Sequence, residues 1–436
     1  MITVARMFKR ILTLAGGVVV GMVLSIAGLR VAAAWNLFPN RDLTRSSNYI
    51  REVMQLVNEN YVDAKAASYE SLAKNAIHGM VESLDPHSEY LEAKDNEEFE
   101  EDLTGEFGGV GLQVESRQNR VVVIAPLAGT PGERAGIQRG DEIVSINGKP
   151  VDASASIDSV VDQLRGKPKS KVTVGIYRPR THESLTIPLV REVIKVDSVR
   201  DAHLIDGNVG YVQLTEFSEH TGEQFGDALD QLLRDGAESL VIDLRNNPGG
   251  LLDAAVEVAE PFFKKGELIV YTEGRKRSDH EEYRAELDGD PIDIPIVVLI
   301  NAGSASAAEI VTGALKDTGR AVIVGERSFG KGSVQSIFKL KNGEGLRLTT
   351  AHYYTPSGVS INEKGISPNV EVVMTPEEDA KLARQRSRPD IADPAEFKAR
   401  FGFMPIEDRQ LDTALAILKA RRLLDRRSGT HVSGVP

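Results

Sequence analysis

The sequence predicts a multidomain α/β (more broadly α+β) protein: an α/β core, a small β-rich domain inserted ahead of it, and helical segments towards both ends. Three observations predict this. From about residue 209 onward, strand-like and helix-like stretches alternate. Residues 105–189 are enriched in glycine and β-branched side chains, with turn signals between short apolar runs. Apolar residues at helical spacing fill residues 46–103 and 410–424.

With 436 residues, 41% of them hydrophobic, the chain can bury cores for two or three domains. The formal charge of -12 argues against nucleic acid as the main partner, because phosphate binding needs surplus Lys and Arg. Cysteine is absent, which removes disulfides and thiolate metal sites and suits any compartment, including an oxidising one. At the N-terminus Arg6, Lys9 and Arg10 precede an uncharged, largely apolar run from Ile11 to Leu29, and no acidic residue appears before Asp42. That pattern reads as an export signal or an inner-membrane anchor within residues 1–34, with Ala32-Ala33-Ala34 as a small-residue cleavage site before Trp35. Either reading makes the expected location extracytoplasmic, the bacterial periplasm.

In chain order, residues 35–103 form a helical region in which Ile50, Val53, Val57 and Tyr61 share a face and Asp85-Pro86 breaks the pattern. The run Glu97 to Asp102 is an exposed acidic face. Residues 104–192 form the small domain, with strands expected at 111–114, 121–124, 142–146 and 172–177 and a helix at 156–164. Asn147-Gly148 is its strongest turn signal. The runs Gly108-Gly109-Val110-Gly111-Leu112, Ala135-Gly136-Ile137 and Gly140-Asp141-Glu142-Ile143 resemble those of a PDZ domain. A glycine-rich turn exposes backbone N–H groups that can hold a terminal carboxylate, while the adjoining strand edge pairs with an extended peptide. Leu112 and Val114 are expected to face Val160, Val161 and Leu164 across an apolar groove. Arg165, at the end of that groove helix, could report occupancy to the core.

Residues 193–376 form the core, with strands expected at 209–214, 239–244, 295–300 and 321–325 and helices at 223–233, 253–263 and 305–315. Site residues in such a core gather in the loops after the strands. These loops hold Arg245-Asn246-Asn247-Pro248-Gly249-Gly250, the Gly303-Ser304-Ala305-Ser306 run, and Gly325 to Gly332. The last begins like a phosphate-binding loop, but Gly332 stands where Ser or Thr is required, and residues 333–340 read as a strand rather than a helix.

A serine activated by a lysine fits the same loops better. Ser306 sits at an expected helix start, where the N–H of Ala307 and a second N–H from Gly249 or Gly250 can receive an oxyanion. On the residues alone Ser304 stays a rival, with helix capping as its other role. Lys331 must be neutral to accept a proton, so burial has to lower its pKa. Phe329 and the flanking glycines make such burial feasible, and Gln335 can orient the amine without adding charge.

Together these runs, with Ser83-Leu84-Asp85-Pro86-His87-Ser88 and Tyr354-Thr355-Pro356-Ser357-Gly358, resemble the carboxyl-terminal processing peptidases (tail-specific proteases) over residues 46–375. The resemblance implies an α/β protease core with an inserted PDZ domain. It further implies Ser306 as nucleophile, Lys331 as base with Gln335 as its partner, acyl transfer without cofactor or metal, and protein or peptide substrates with accessible C-termini. Ala308 stands where the family often has a third serine. A catalytically inactive PDZ-type peptide-binding scaffold is the alternative. Residues 377–436 read as a charged linker around 380–388 and an amphipathic helix at 410–424 with Leu411, Leu415 and Leu418 on one face. Self-association through terminal helices and an adaptor protein stay open as partners.

Overall fold

The structure, a computed structural model, describes residue 22 and residues 40–117, 119–151, 156–388 and 391–428. The expected export segment lies outside the described residues apart from Met22. The chain divides into two compact units, Met1–Leu84 and Asp85–Pro436.

In the first unit, helix α1 spans Arg41–Asn60 and α2 spans Tyr69–Glu82. Each has a polar N-cap: the Asn40 side chain accepts from the N–H of Asp42 and Leu43, and Ser68 Oγ accepts from that of Ser71. The helical region expected at 46–103, with its break at Asp85-Pro86, is therefore interrupted a second time between Asn60 and Tyr69. The turn between the helices is fixed by Asn58 Nδ2 donating to the Ala67 carbonyl at 2.8 Å, a link too local and too polar for apolar periodicity to register.

The second unit opens with strand β1 (Glu89–Leu91), helix α3 (Ala93–Thr104) and β2 (Glu106–Gly109). The small domain follows: β3 (Leu112–Arg117), β4 (Arg120–Pro126), α4 (Pro131–Arg134), β5 (Glu142–Ile146), β6 (Lys149–Pro150), α5 (Ile157–Leu164), β7 (Lys171–Arg178), β8 (Glu183–Val190) and β9 (Glu192–Lys195). Its sheet runs β3-β4-β5-β7-β8, with β6 on β5, while β2 pairs separately with β9. Val123, Ile143, Ile146, Val174 and Ile176 fill its core against Val160 and Leu164 of α5.

The larger domain contains β10 (Val199–Ile205), β11 (Val209–Leu214), α6 (Thr221–Arg234), β12 (Ser239–Asp243), α7 (Leu252–Ala259), β13 (Leu268–Gly274), β14 (Glu281–Arg284), β15 (Ile296–Ile300), α8 (Ala307–Asp317), β16 (Ala321–Gly325), β17 (Ser333–Lys339), β18 (Gly345–Tyr354), β19 (Val370–Glu371), α9 (Pro376–Arg386), α10 (Pro394–Phe401) and α11 (Arg409–Ser428). Its main sheet has the order β10-β11-β12-β15-β16-β19, and every junction is parallel except β10 with β11. Strands β11, β12 and β15 are buried throughout because both faces are covered. Alternation divides their side chains: Val212, Ile242 and Val298 face the α6–α8 layer, whereas Tyr211, Val241 and Val297 face α11.

One expectation at the C-terminal end comes out differently and one as expected. Residues 380–388 are helical for the most part, not a linker, because α9 starts on a capping box in which Thr375 and Glu378 satisfy each other's backbone N–H. The amphipathic helix is α11, and Ala414 and Leu418 are buried on the main sheet with Leu411 and Leu415 beside them. A second sheet, β1-β18-β13-β14 with β17 on β18, takes strand β17 directly from the end of the Gly325–Gly332 loop. Residues 333–339 are thus a strand, and no helix follows the glycine loop there, as a phosphate-binding loop would require.

Candidate active site

Ser306 lies at the start of α8 with φ 53° and ψ −116°, a conformation disfavoured for a residue bearing a Cβ. Glu309 holds it there. Its buried carboxylate accepts from the Ser306 N–H at 2.9 Å, the Gly330 N–H at 2.7 Å, the Lys331 N–H at 2.8 Å and Ser328 Oγ at 2.5 Å. One side chain therefore binds the serine loop to the lysine loop. Burial pushes the Glu309 carboxyl up, and the four donors oppose that shift.

Ser304 has a different environment. It is fully buried, its Oγ donates to the Leu244 carbonyl at 2.8 Å, and it accepts from the Asn301 N–H at 3.0 Å. Both hydroxyl functions are spent on the fold. Asn301 also pins the Arg245–Gly250 loop, accepting from the Asn246 N–H at 2.8 Å and donating to Asn246 Oδ1 at 3.0 Å.

Gly249, at φ 95°, presses against the serine: a Cβ there would lie 2.7 Å from Ser306 Cβ and 2.8 Å from the Ala307 nitrogen. Its own N–H is taken by Asn247 Oδ1 at 2.8 Å. The N–H groups of Ala307 and Gly250 have no hydrogen-bond partner among the described residues. Beneath the loop, Arg245 is buried between Asp243 (2.6 Å) and Asp408 (2.7 Å), which ties the loop to the segment leading into α11. Burial alone would raise the Asp243 carboxyl, but Arg245 and Arg386 hold it well below the usual carboxylate range.

The Lys331 loop is close-packed. A Cβ on Gly332 would meet the Asn362 nitrogen at 2.2 Å. Burial pushes the Lys331 amine down from its ordinary pKa, Arg347 pushes it further, and Glu309 opposes both. Phe329 does not supply that burial, since it is 63% exposed; its N–H is instead fixed to the Ser304 carbonyl. Gln335 does not orient the amine either. Its Nε2 donates to Ser333 Oγ at 2.8 Å and Thr349 Oγ1 at 3.3 Å, because the β17–β18 register sets Thr349 directly opposite Gln335. Among the described residues, the Lys331 amine has no hydrogen bond to Ser306.

Two contributors were not found from sequence. The Tyr353 hydroxyl lies near Ser306; burial pushes its pKa up to about 12, and Ser306 opposes that rise. The Tyr353 N–H donates to the Gly332 carbonyl at 2.7 Å. The Asp85–Ser88 turn is the other. Asp85 accepts from the N–H of His87 (2.8 Å) and Ser88 (2.9 Å), from Ser88 Oγ (2.7 Å) and from Thr349 Oγ1 (3.2 Å). Burial, then the Lys331 charge, pushes the His87 imidazole down. The quoted Ser83–Ser88 run was the available signal for this turn, but nothing in it indicated which strand it would reach.

In the small domain the expected groove residues are divided. Val160 and Leu164 belong to the core with Val110, while Leu112, Val114 and Val161 stay partly exposed. Gly108 and Gly109 are paired in β2 against Val193 and Glu192, so the free turn is only Val110-Gly111. Arg165 bonds Glu101 of α3 at 3.3 Å and lies 4.5 Å from the Phe107 ring centroid. Its contacts are with α3 and β2, not with the catalytic loops.

A small β domain joined to a largely parallel sheet covered on both faces, with a strained serine and a partly buried lysine tied to one carboxylate beside free backbone N–H groups, fits the class of a hydrolase with an added β module. Comparison with known proteins agrees. Residues 208–372 match the model of peptidase family S41, and residues 122–178 match a PDZ domain. A carboxy-terminal-processing protease of Bartonella bacilliformis is 44% identical over 307 residues, covering 70% of each chain. A probable CtpA-like serine protease of Staphylococcus aureus is 38% identical over 326 residues, covering 74% of this chain and 64% of its own. Among solved structures, the photosystem II D1 C-terminal processing protease is similar at 33% identity and a TM-score of 0.42, over 74% of this chain and 92% of its own. The chain belongs to peptidase family S41, the C-terminal processing serine proteases, and carries their PDZ domain.

Proposed function

We propose that the chain is an extracytoplasmic serine endopeptidase that captures substrate C-termini on its PDZ domain and cleaves peptide bonds with a Ser306–Lys331 dyad. The observation that carries this reading is the shared Glu309 carboxylate, which brings a strained serine and a lysine of lowered pKa into one site. In the reaction Ser306 Oγ attacks the carbonyl carbon while neutral Lys331 takes the hydroxyl proton. The N–H groups of Ala307 and Gly250 receive the oxyanion, and Gly249 leaves room for it. Collapse returns the proton from Lys331 to the leaving amine, and water activated by the same amine releases the acyl group. Ser306 Oγ must turn to Lys331 for this step, consistent with catalytic bonds that tighten only when substrate binds. Gln335 acts through Thr349 and the Asp85 turn, keeping β17 in place.

The missing Ser306–Lys331 bond is also what favours the alternative, an inactive peptide-binding scaffold. Incubating the purified chain with an unfolded protein, beside a Ser306→Ala control, separates the two. Fragments from the intact chain alone support the protease; none from either supports the scaffold.

A further inference from the structure

We propose that the cleft between the end of β3 and helices α9 and α10 is a subsite for the upstream part of a substrate tail, and that it selects an acidic side chain about five residues before the C-terminus. This rests on the reading that the PDZ domain captures tails.

Strand β3 is the edge of its sheet, paired only with β4, so its other edge can accept an added strand. A carboxylate held at the Val110-Gly111 turn sits at the beginning of β3. The peptide must then run antiparallel to it, and its upstream residues pass Val114 and reach Ser116 and Arg117. Six residues of β3 give room for about six of the peptide, which places the fifth residue before the terminus beside Arg117.

There the strand meets a cleft of about 510 Å³, a volume typical of ligand sites. Its cations, Arg117, Lys381, Arg384 and Arg400, outnumber its carboxylates, Glu115 and Glu377. Both carboxylates are engaged, Glu115 with Arg400 at 2.8 Å and Glu377 with Lys381 at 2.5 Å. Arg117 and Arg384 have no carboxylate partner among the described residues. Buried Arg400 Nε has no hydrogen bond either. Phe401 and Phe403 form an apolar wall under these charges, with the Arg384 guanidinium 5.7 Å from the Phe401 ring centroid and Lys381 Nζ 5.6 Å from that of Phe403. An aliphatic stem ending in a carboxylate, as in Glu, matches both the wall and the surplus charge.

The test is peptide binding to the full chain carrying Ser306→Ala, read by fluorescence anisotropy. Labelled peptides differ only in Glu or Lys at the fifth position before a free C-terminus, and a carboxamide version of the Glu peptide is included. The Glu peptide should bind about fivefold or more tighter than the Lys peptide at low salt, with the preference shrinking as salt rises. Arg384→Glu, at an exposed position, should abolish or reverse it, and Arg384→Gln should reduce it. If the free-acid Glu peptide outbinds its amide but Glu and Lys bind alike, the subsite is overturned and tail capture stands. If acid and amide bind alike, tail capture fails and the subsite falls with it.

Discussion

Ser304 and Ser306 stand two positions apart, yet the fold uses both hydrogen-bonding functions of one and leaves the other strained beside unpaired N–H groups. Ser306→Ala should therefore abolish proteolysis with little loss of stability. Ser304→Ala should lower stability by about 1–3 kcal/mol, because the Asn301 N–H loses its acceptor and the Leu244 carbonyl keeps only the long bond from the Asn247 N–H, and should keep most turnover per folded molecule. Denaturant melts with active-fraction assays check both, and full activity in Ser306→Ala would remove the assignment. The lysine makes a pH prediction. On the proposed dyad, activity should rise as Lys331 loses its proton, and the Arg347 charge helps to hold its pKa down. Arg347→Gln removes a neighbouring positive charge and lets the pKa rise, so the ascending limb of kcat/KM should move to higher pH. An unmoved or lowered limb would show that Arg347 does not tune the base. Serine, lysine and glycine loops were legible in sequence because each is a short contiguous run. Tyr353 was not, because its approach to Ser306 depends on how β18 crosses the loops, and Gln335 was misjudged because the β17–β18 register, which sets Thr349 opposite it, is not written in a contiguous run.

At the level of elements, the site is a junction in which α8 supplies the serine, the β16–β17 loop supplies the lysine, and Glu309 holds them together. Apolar periodicity could place α8, but it could not reveal that a charged residue in its first turn points inward to four donors. Glu309→Gln tests the junction. An amide keeps the shape but has one accepting oxygen, so its NH2 group faces donors and at least one N–H is left unpaired in a buried place. Stability should fall by about 1–3 kcal/mol or more, with kcat falling much further, because the serine and lysine loops lose their common anchor. Urea unfolding and steady-state kinetics are the measurements, and unchanged kcat would show that the loops hold their positions without Glu309. The same reasoning explains why α9 was misread: its charges resemble those of a solvated linker, and only the Thr375–Glu378 capping box marks a helix start.

Across the whole molecule, strands buried on both faces were the most legible feature, since β11 and β16 lie at the expected residues and β12 and β15 within one residue of them. Long apolar runs bounded by turn residues leave few alternatives. Strands β8, β9 and β10 were missed because their alternation is diluted by exposed charges such as Glu183, Glu192 and Arg200. The location of the enzyme is a sequence argument, and it yields the last prediction. Arg6, Lys9 and Arg10 before 19 uncharged, largely apolar residues (11–29) should keep the N-terminus on the cytoplasmic side while the run inserts into the membrane. A reporter fused after residue 45 should then be active outside the cytoplasm, and the same reporter on a chain lacking residues 1–34 should stay inside. Mass analysis of the exported product distinguishes cleavage before Trp35 from a retained anchor: the cleaved form is soluble and begins near Trp35, and the anchored form sediments with membranes at full length. A full-length fusion that stays soluble in the cytoplasm would refute export and leave the enzyme to act on cytoplasmic tails.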